Sequence, residues 1–254
     1  MKRRDSLLAV ALAVGLVALI GAGLIGWAAG HYTTKTTTVT VSGGSGAPKP
    51  RAHFSPEVAA GAHAFLQFAC AQCHGIGGRG GISPYVPSLT QAGKTLTAAQ
   101  LRSIINHGLG ESANPTRPYM PVWGDVVSTR QVSELVAYIR VGLPSVPDAT
   151  PVPVPRDQGL AVAGAALYVR DGCINCHGPN GLGGVPNPQS PDKTIPSLSG
   201  PVFREEFNTD AKIIAVIRSG SVIGRAPIVS MPHWGGIISD RDLRSLVAYL
   251  KTLK

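Results

Sequence analysis

Cys70-Ala71-Gln72-Cys73-His74 and Cys173-Ile174-Asn175-Cys176-His177 are two copies of one five-residue pattern, and they use all four cysteines of the 254-residue chain. No cysteine is left for a structural disulfide. The likeness extends outward from both motifs. Gly61 and Phe65 precede the first at the same spacing at which Gly164 and Tyr168 precede the second. Downstream, Met120-Pro121-Val122-Trp123-Gly124 matches Met231-Pro232-His233-Trp234-Gly235, and each is followed by Leu-Val-Ala-Tyr, at 135–138 and 246–249. A plan that recurs in order is the mark of a duplicated unit. The second copy is longer between these fixed points, and its extra residues are placed in loops.

Each copy reads as helical. Ser55-Pro56-Glu57 is a helix start with proline in the first turn, and Val58, Ala62, Phe65 and Phe68-Ala69 share one face up to Ala69. The equivalent helix spans about 159–171. Middle helices follow Thr97 and Thr209, with Gly108 and Gly220 as carboxyl-terminal caps. Final helices start at Ser128 and Ser239. No segment alternates as a strand should. The expected fold class is therefore all-α, with three to five helices in each of two small domains, at 54–142 and 158–254. Between them, 143–157 carries five prolines from Pro144 to Pro155 and reads as a stiff extended spacer.

Upstream, Lys2-Arg3-Arg4 precedes an uncharged apolar run from Leu7 to Gly30. As a helix it would measure about 36 Å, enough for a hydrocarbon core of about 30 Å. It exceeds the apolar region of about 7–15 residues usual in a cleaved signal, although Trp27-Ala28-Ala29-Gly30 leaves cleavage open. Segment 1–30 is thus expected to be a transmembrane anchor. The basic cluster sets the amino terminus on the cytoplasmic side, and everything after residue 30 lies on the extracytoplasmic, periplasmic or outer face. Residues 31–53, rich in Thr, Gly, Ser and Pro, form a flexible tether.

The formal charge of +9 is concentrated near this anchor, where residues 1–53 hold six Lys or Arg against one acid. There is no basic stripe with interleaved aromatics, so nucleic acid is not an expected partner. The lipid bilayer is.

Cys-x-x-Cys-His is the attachment signal of a c-type haem. Two thiols three residues apart at a helix end can each add to one vinyl group, and the adjacent histidine then lies under the iron. A zinc site or a redox-active dithiol is the alternative, but zinc would need further cysteine or histidine ligands in each copy. Two covalently bound c-type haems are expected, on Cys70 and Cys73 and on Cys173 and Cys176, with His74 and His177 as axial ligands. Apart from Met1 the chain has only Met120 and Met231, at matched positions. Core filling explains a methionine but not that coincidence. Both are expected as the second axial ligands, an arrangement that raises the haem potential and leaves no open site. His63 and His107 suit surface or packing roles. His233 could compete for the iron, although its counterpart is Val122. His31 and His53 lie in the tether.

With these residues in place, each copy resembles the class I cytochrome c domain, over 55–142 and 158–254. The resemblance implies that first and last helices cross near Gly61, Phe65 and Tyr138, and near Gly164, Tyr168 and Tyr249. It also implies that Pro87 and Pro196, each in Pro-Ser-Leu, offer a carbonyl to the proximal imidazole N–H. The layout of anchor, tether and two domains resembles both the dihaem subunit of cbb3-type oxidases and free-standing anchored dihaem cytochromes. Either implies an electron-transfer protein rather than an enzyme, placed between a membrane donor, such as a quinol-oxidising complex, and an oxidase or soluble acceptor. It would work alone or within a larger respiratory complex. The rival expectation is a catalytic dihaem enzyme, peroxidase-like or thiosulfate-oxidising, which needs one iron with an open position or a different ligand.

Overall fold

The computed structural model describes residues 54–110, 116–188, 190, 192–221 and 230–254. The expected anchor and the tether up to residue 53 lie outside the described residues.

Hydroxyl side chains start all the long helices but one, Leu160–Arg170, which Gly159 precedes without a side-chain cap. Ser55 accepts the Val58 N–H at the head of α1 (Pro56–Gln67). Thr97 and Ser128 form capping boxes with Gln100 and Gln131. These open α4 (Ala98–His107) and α5 (Thr129–Arg140), with α2 (Cys70–His74) and α3 (Ala92–Thr95) lying between α1 and α4. The second copy repeats the order as α6 (Leu160–Arg170), α7 (Cys173–His177), α8 (Gly200–Glu206), α9 (Asp210–Ser219) and α10 (Asp240–Leu250). Thr209 and Ser239 cap the last two. Among the described residues there is no strand, only isolated bridges. No described helix is long and apolar enough to cross a membrane.

Helix α1 stops earlier than its apolar face suggested. It ends at Gln67, and Ala69 takes the left-handed conformation, with φ of 57°. Its counterpart Gly172 does the same, with φ of 74°. The chain must turn sharply there to start the short helix carrying Cys-x-x-Cys-His, and an alanine in that conformation costs about 1–2 kcal/mol. The added length of the second copy is partly ordered. His177 and Pro196 are nineteen residues apart where His74 and Pro87 are thirteen, and that longer loop is tied by a Pro186–Thr194 bridge.

In each copy the first and last helices cross at a glycine. A Cβ on Gly61 would collide with the Glu134 carbonyl oxygen, and one on Gly164 with that of Ser245. Beside the crossings, Phe65 and Tyr138 meet edge to face at 5.7 Å, and the rings of Tyr168 and Tyr249 meet at a tilt at 5.3 Å. The first core gathers Val58, Phe65, Leu101, Ile105, Val132, Leu135 and Ile139; the second gathers Leu167, Ile213, Ile217, Leu243, Leu246 and Leu250. Because backbone blocks any Cβ on Gly164, no rotamer change relieves the clash. Gly164→Ala should destabilise the second domain by at least about 2 kcal/mol. Calorimetry should show its transition falling about 4–8 °C for each kcal/mol.

The two halves pack together within one unit, Ala52–Lys254. The intervening segment runs along both: Val146 and Ala149 pack on the first core, Val154 on the second. Arg156 makes a two-pronged ion pair with Asp242 in α10, its Nη2 2.9 Å from Oδ2, and holds that carboxylate below the usual range. Contacts between the halves pair equivalent positions. Asn175 Nδ2 donates to the Gln67 carbonyl at 2.7 Å, and Gln72 Nε2, its counterpart, donates to the carbonyl of Arg170, the counterpart of Gln67, at 3.4 Å. Ala69 lies in the second core and faces its own equivalent, Gly172. Tyr119, one residue before Met120, bonds Ser230, one residue before Met231. Contacts that map onto themselves when the copies are exchanged define a pseudo-twofold arrangement.

Candidate haem sites

Between the start of α2 and the end of the Met120 loop lies a mostly apolar cavity of about 630 Å³. Its wall includes Cys70, Cys73, His74, Pro87 and Met120, so all the first-copy candidates meet in one place. A cavity of that size is in the range of cofactor sites, roughly 300–1,000 Å³. Leu101, Ile105, Leu135 and Trp123 supply apolar walls, and Phe68 packs on Trp123 at 6.2 Å.

His74 Nδ1 lies 3.0 Å from the Pro87 carbonyl oxygen. His177 Nδ1 lies 3.1 Å from that of Pro196. A carbonyl only accepts, so each Nδ1 carries the proton and each Nε2 is left with a lone pair for a metal. Burial lowers both imidazole pKa values, and the proline carbonyls partly oppose this. The neutral, ligating form is thereby favoured at physiological pH.

The thiols lie in the wrong surroundings for dithiol chemistry. Burial pushes Cys70 and Cys73 up to about 12, Cys176 up to about 11, and Cys173 well above its usual value. The Asp171 carboxylate, from the other copy, adds to the rise at Cys73. Reactive redox dithiols need easily formed thiolates, which burial here disfavours.

Each methionine is clamped by a two-way backbone bridge. Leu109 and Met120 exchange hydrogen bonds of 2.8 and 2.9 Å, and Ser221 and Met231 exchange bonds of 3.0 and 2.8 Å. The partner residues follow Gly108 and Gly220, where φ is 69° and 70° and a Cβ would strike the Met120 and Met231 carbonyls. The helix caps therefore fix the methionine loops. In the second copy, Cys173, Met231 and Trp234 border the core around Ile213, Ile217 and Leu246.

Other histidines take lesser places. His63 and His107 are exposed, and His107 Nδ1 bonds the Ser103 carbonyl at 2.9 Å. His233 was considered from sequence as a competitor for the second iron. The structure instead places it, with Pro232 and Trp234, in the wall of the first-copy cavity. Its Nδ1 is buried with no hydrogen-bond partner among the described residues. A haem brings two carboxylates that could accept such a donor, so the cavity's size, its thiols and this orphaned nitrogen all fit the group. The contribution of the second copy to this wall was not visible in the sequence, and neither was the role of Tyr119. The only clue was that Tyr119 and Ser230 break the repeat next to both methionines.

Residues 56–139 match the family described as cytochrome c oxidase, cbb3-type, subunit III, and residues 161–254 match cytochrome c. The cbb3-type cytochrome c oxidase subunit FixP of Azorhizobium caulinodans is 29% identical over 197 residues, which is 72% of this chain and 56% of that protein. Subunit CcoP of the same oxidase type from Cereibacter sphaeroides is 26% identical over 193 residues, 72% of this chain and 57% of that protein. The chain thus spans little more than half the length of these curated relatives. A chain of the reducing HAO-like protein complex of Kuenenia stuttgartiensis aligns with 79% of this chain and 97% of itself, at 18% identity and a TM-score of 0.27. That likeness is too loose to bear on the fold.

Two helical units that each match a cytochrome c family, each with its own Cys-x-x-Cys-His, define a tandem c-type cytochrome with two covalently bound c-type haems. The chain is a dihaem cytochrome c similar to the dihaem subunit of cbb3-type oxidases.

Proposed function

We propose that this chain is a membrane-anchored electron-transfer protein, held at the extracytoplasmic face by residues 7–30. It takes single electrons from a membrane donor, a quinol-oxidising complex, and passes them to an oxidase or soluble acceptor. The observation that carries this reading is the repetition of one full ligand set: two thiols, a histidine oriented by a proline carbonyl, and a clamped methionine. The naming of both curated relatives as cbb3-type oxidase subunits supports placement in a respiratory complex. When bound, each haem supplies a one-electron ferric/ferrous couple.

The chain's residues do the rest. Cys70 and Cys73, and Cys173 and Cys176, hold the group through thioether bonds. His74 and Met120, and His177 and Met231, would be the two iron ligands that the chain offers in each site, leaving no position for a substrate. Pro87 and Pro196 fix the imidazole planes and increase ligand basicity. Apolar walls exclude water, which together with methionine ligation keeps the potential high. A catalytic dihaem enzyme would need an open iron, and both copies keep their methionine.

A chain beginning after residue 30 and given a cleavable export signal should be a soluble protein with two haems. Retention in membranes stripped of partner proteins would contradict the anchor. Gentle solubilisation of the full chain, followed by identification of co-purifying redox proteins, tests the partners. An oxidase or quinol-oxidising complex is expected, and purification of the chain alone under conditions that keep such complexes intact would count against the placement.

A further inference from the structure

The two methionine loops are not independent. Tyr119 Oη lies 2.9 Å from the Met231 carbonyl oxygen and 3.1 Å from Ser230 Oγ. A phenol has one proton to give, and a carbonyl can only accept, so Tyr119 donates to Met231 and the buried Ser230 hydroxyl donates to the phenol oxygen. The Met231 carbonyl also takes the Ser221 N–H at 3.0 Å, so both of its lone pairs are used. In the first copy the Met120 carbonyl takes the Leu109 N–H at 2.8 Å. Among the described residues no side chain of the second copy is recorded on it. The same Tyr119 ring lines the first-copy cavity, next to Arg117, Pro118 and Met120. One side chain thus borders one candidate haem site and holds the backbone of the ligand residue of the other.

We propose that Tyr119 is a positioning residue for the second haem site, fixing the Met231 loop from the first domain so that the two sites behave as one coupled unit. This rests on the reading of Met231 as the second axial ligand. The hydrogen bond acts at the carbonyl of the residue whose thioether must reach the iron. Its loss leaves the Ser221 bridge as the remaining clamp, so Met231 should be displaced more easily. The pseudo-twofold contacts Ala69–Gly172, Gln72–Arg170 and Asn175–Gln67 are far along the chain from Tyr119 and keep the halves together in its absence. The expected effect is therefore local to one ligand rather than a loss of docking.

The test compares the full-length holoprotein with its Tyr119→Phe and Ser230→Ala variants. The first readout is the long-wavelength charge-transfer band of thioether-ligated ferric haem, and the second is titration with free imidazole, which competes with methionine for ferric iron. Losing one net hydrogen bond of about 1 kcal/mol corresponds to about a fivefold change. Imidazole should therefore bind one haem about fivefold more tightly in Tyr119→Phe, with a smaller change in Ser230→Ala. The affected haem is the one whose band is abolished by Met231→His. The other should keep its parent affinity. The inference is overturned if Tyr119→Phe leaves both affinities at parent values, or moves both equally, in a protein that shows two thioether-ligated haems. A parent protein lacking that band at the second haem would instead overturn the ligand reading, and the inference with it.

Discussion

Replacing Met231 by histidine lowers the potential of one haem by more than about 100 mV and leaves the other near its parent value. Imidazole favours ferric iron more than a thioether does, so the exchange stabilises the oxidised state of that site. A shift of about 100 mV in a one-electron couple corresponds to about 2.3 kcal/mol, from the relation of 59 mV per tenfold. That is enough to stall transfer to a high-potential acceptor. Folding and attachment should persist, because the thioether bonds, the proximal His177 and its Pro196 carbonyl are untouched. Met120→His should do the same to the first haem. Potentiometric titration resolves the two steps, and a variant in which neither potential moves would show that the methionine does not ligate.

The second large effect concerns haem content. Cys173→Ala combined with Cys176→Ala removes both thioether attachments of the second domain and should leave about half the haem stain on a denaturing gel. The mirror change at Cys70 and Cys73 should also halve it. Cys70 packs on the first cluster and Cys173 on the second, which supports separate loading, while Cys73 borders the second cluster as well. Complete loss of stain from either double variant would mean that one site cannot form without the other.

Much of the local structure could be read from the chain because each cue acts over a few residues. The hydroxyl caps at Ser55, Thr97, Ser128, Thr209 and Ser239 and the glycine stops at Gly108 and Gly220 set helix ends by hydrogen bonds to adjacent turns. Duplication then made most of these cues visible twice, Ser55 excepted, since Gly159 stands without a side-chain cap at the start of α6. The end of α1 was harder. Ala69 has an ordinary apolar side chain, and its left-handed backbone is imposed by the corner that follows. Its equivalent, Gly172, was the available warning.

The packing of the two halves left almost no trace in the sequence. Gln72, Asn175, Tyr119 and Ser230 are ordinary polar residues, and each reaches the other half, at Arg170, Gln67, Ser230 and Tyr119 in turn, only because a pseudo-twofold arrangement brings equivalent regions together. The repeat that revealed the domains hid this interface, since attention goes to positions that match. The ones that touch across the axis, such as Tyr119 and Ser230, are those that differ. His233 shows the same point. Numbered next to Met231, it was weighed against the second iron, but it lies in the wall of the first cavity.

As an electron carrier, this chain is expected to close each of its two irons with a protein ligand on both faces. Exposure of the fully reduced, purified dihaem protein to carbon monoxide tests this most directly, with the absorption spectrum followed per haem. The expected result is no spectral change at either haem, because Met120 and Met231, as the proposed ligands, would hold the positions carbon monoxide needs. Ready, stoichiometric binding at one haem of the parent protein would show an open iron there and contradict the reading of this chain as an electron carrier.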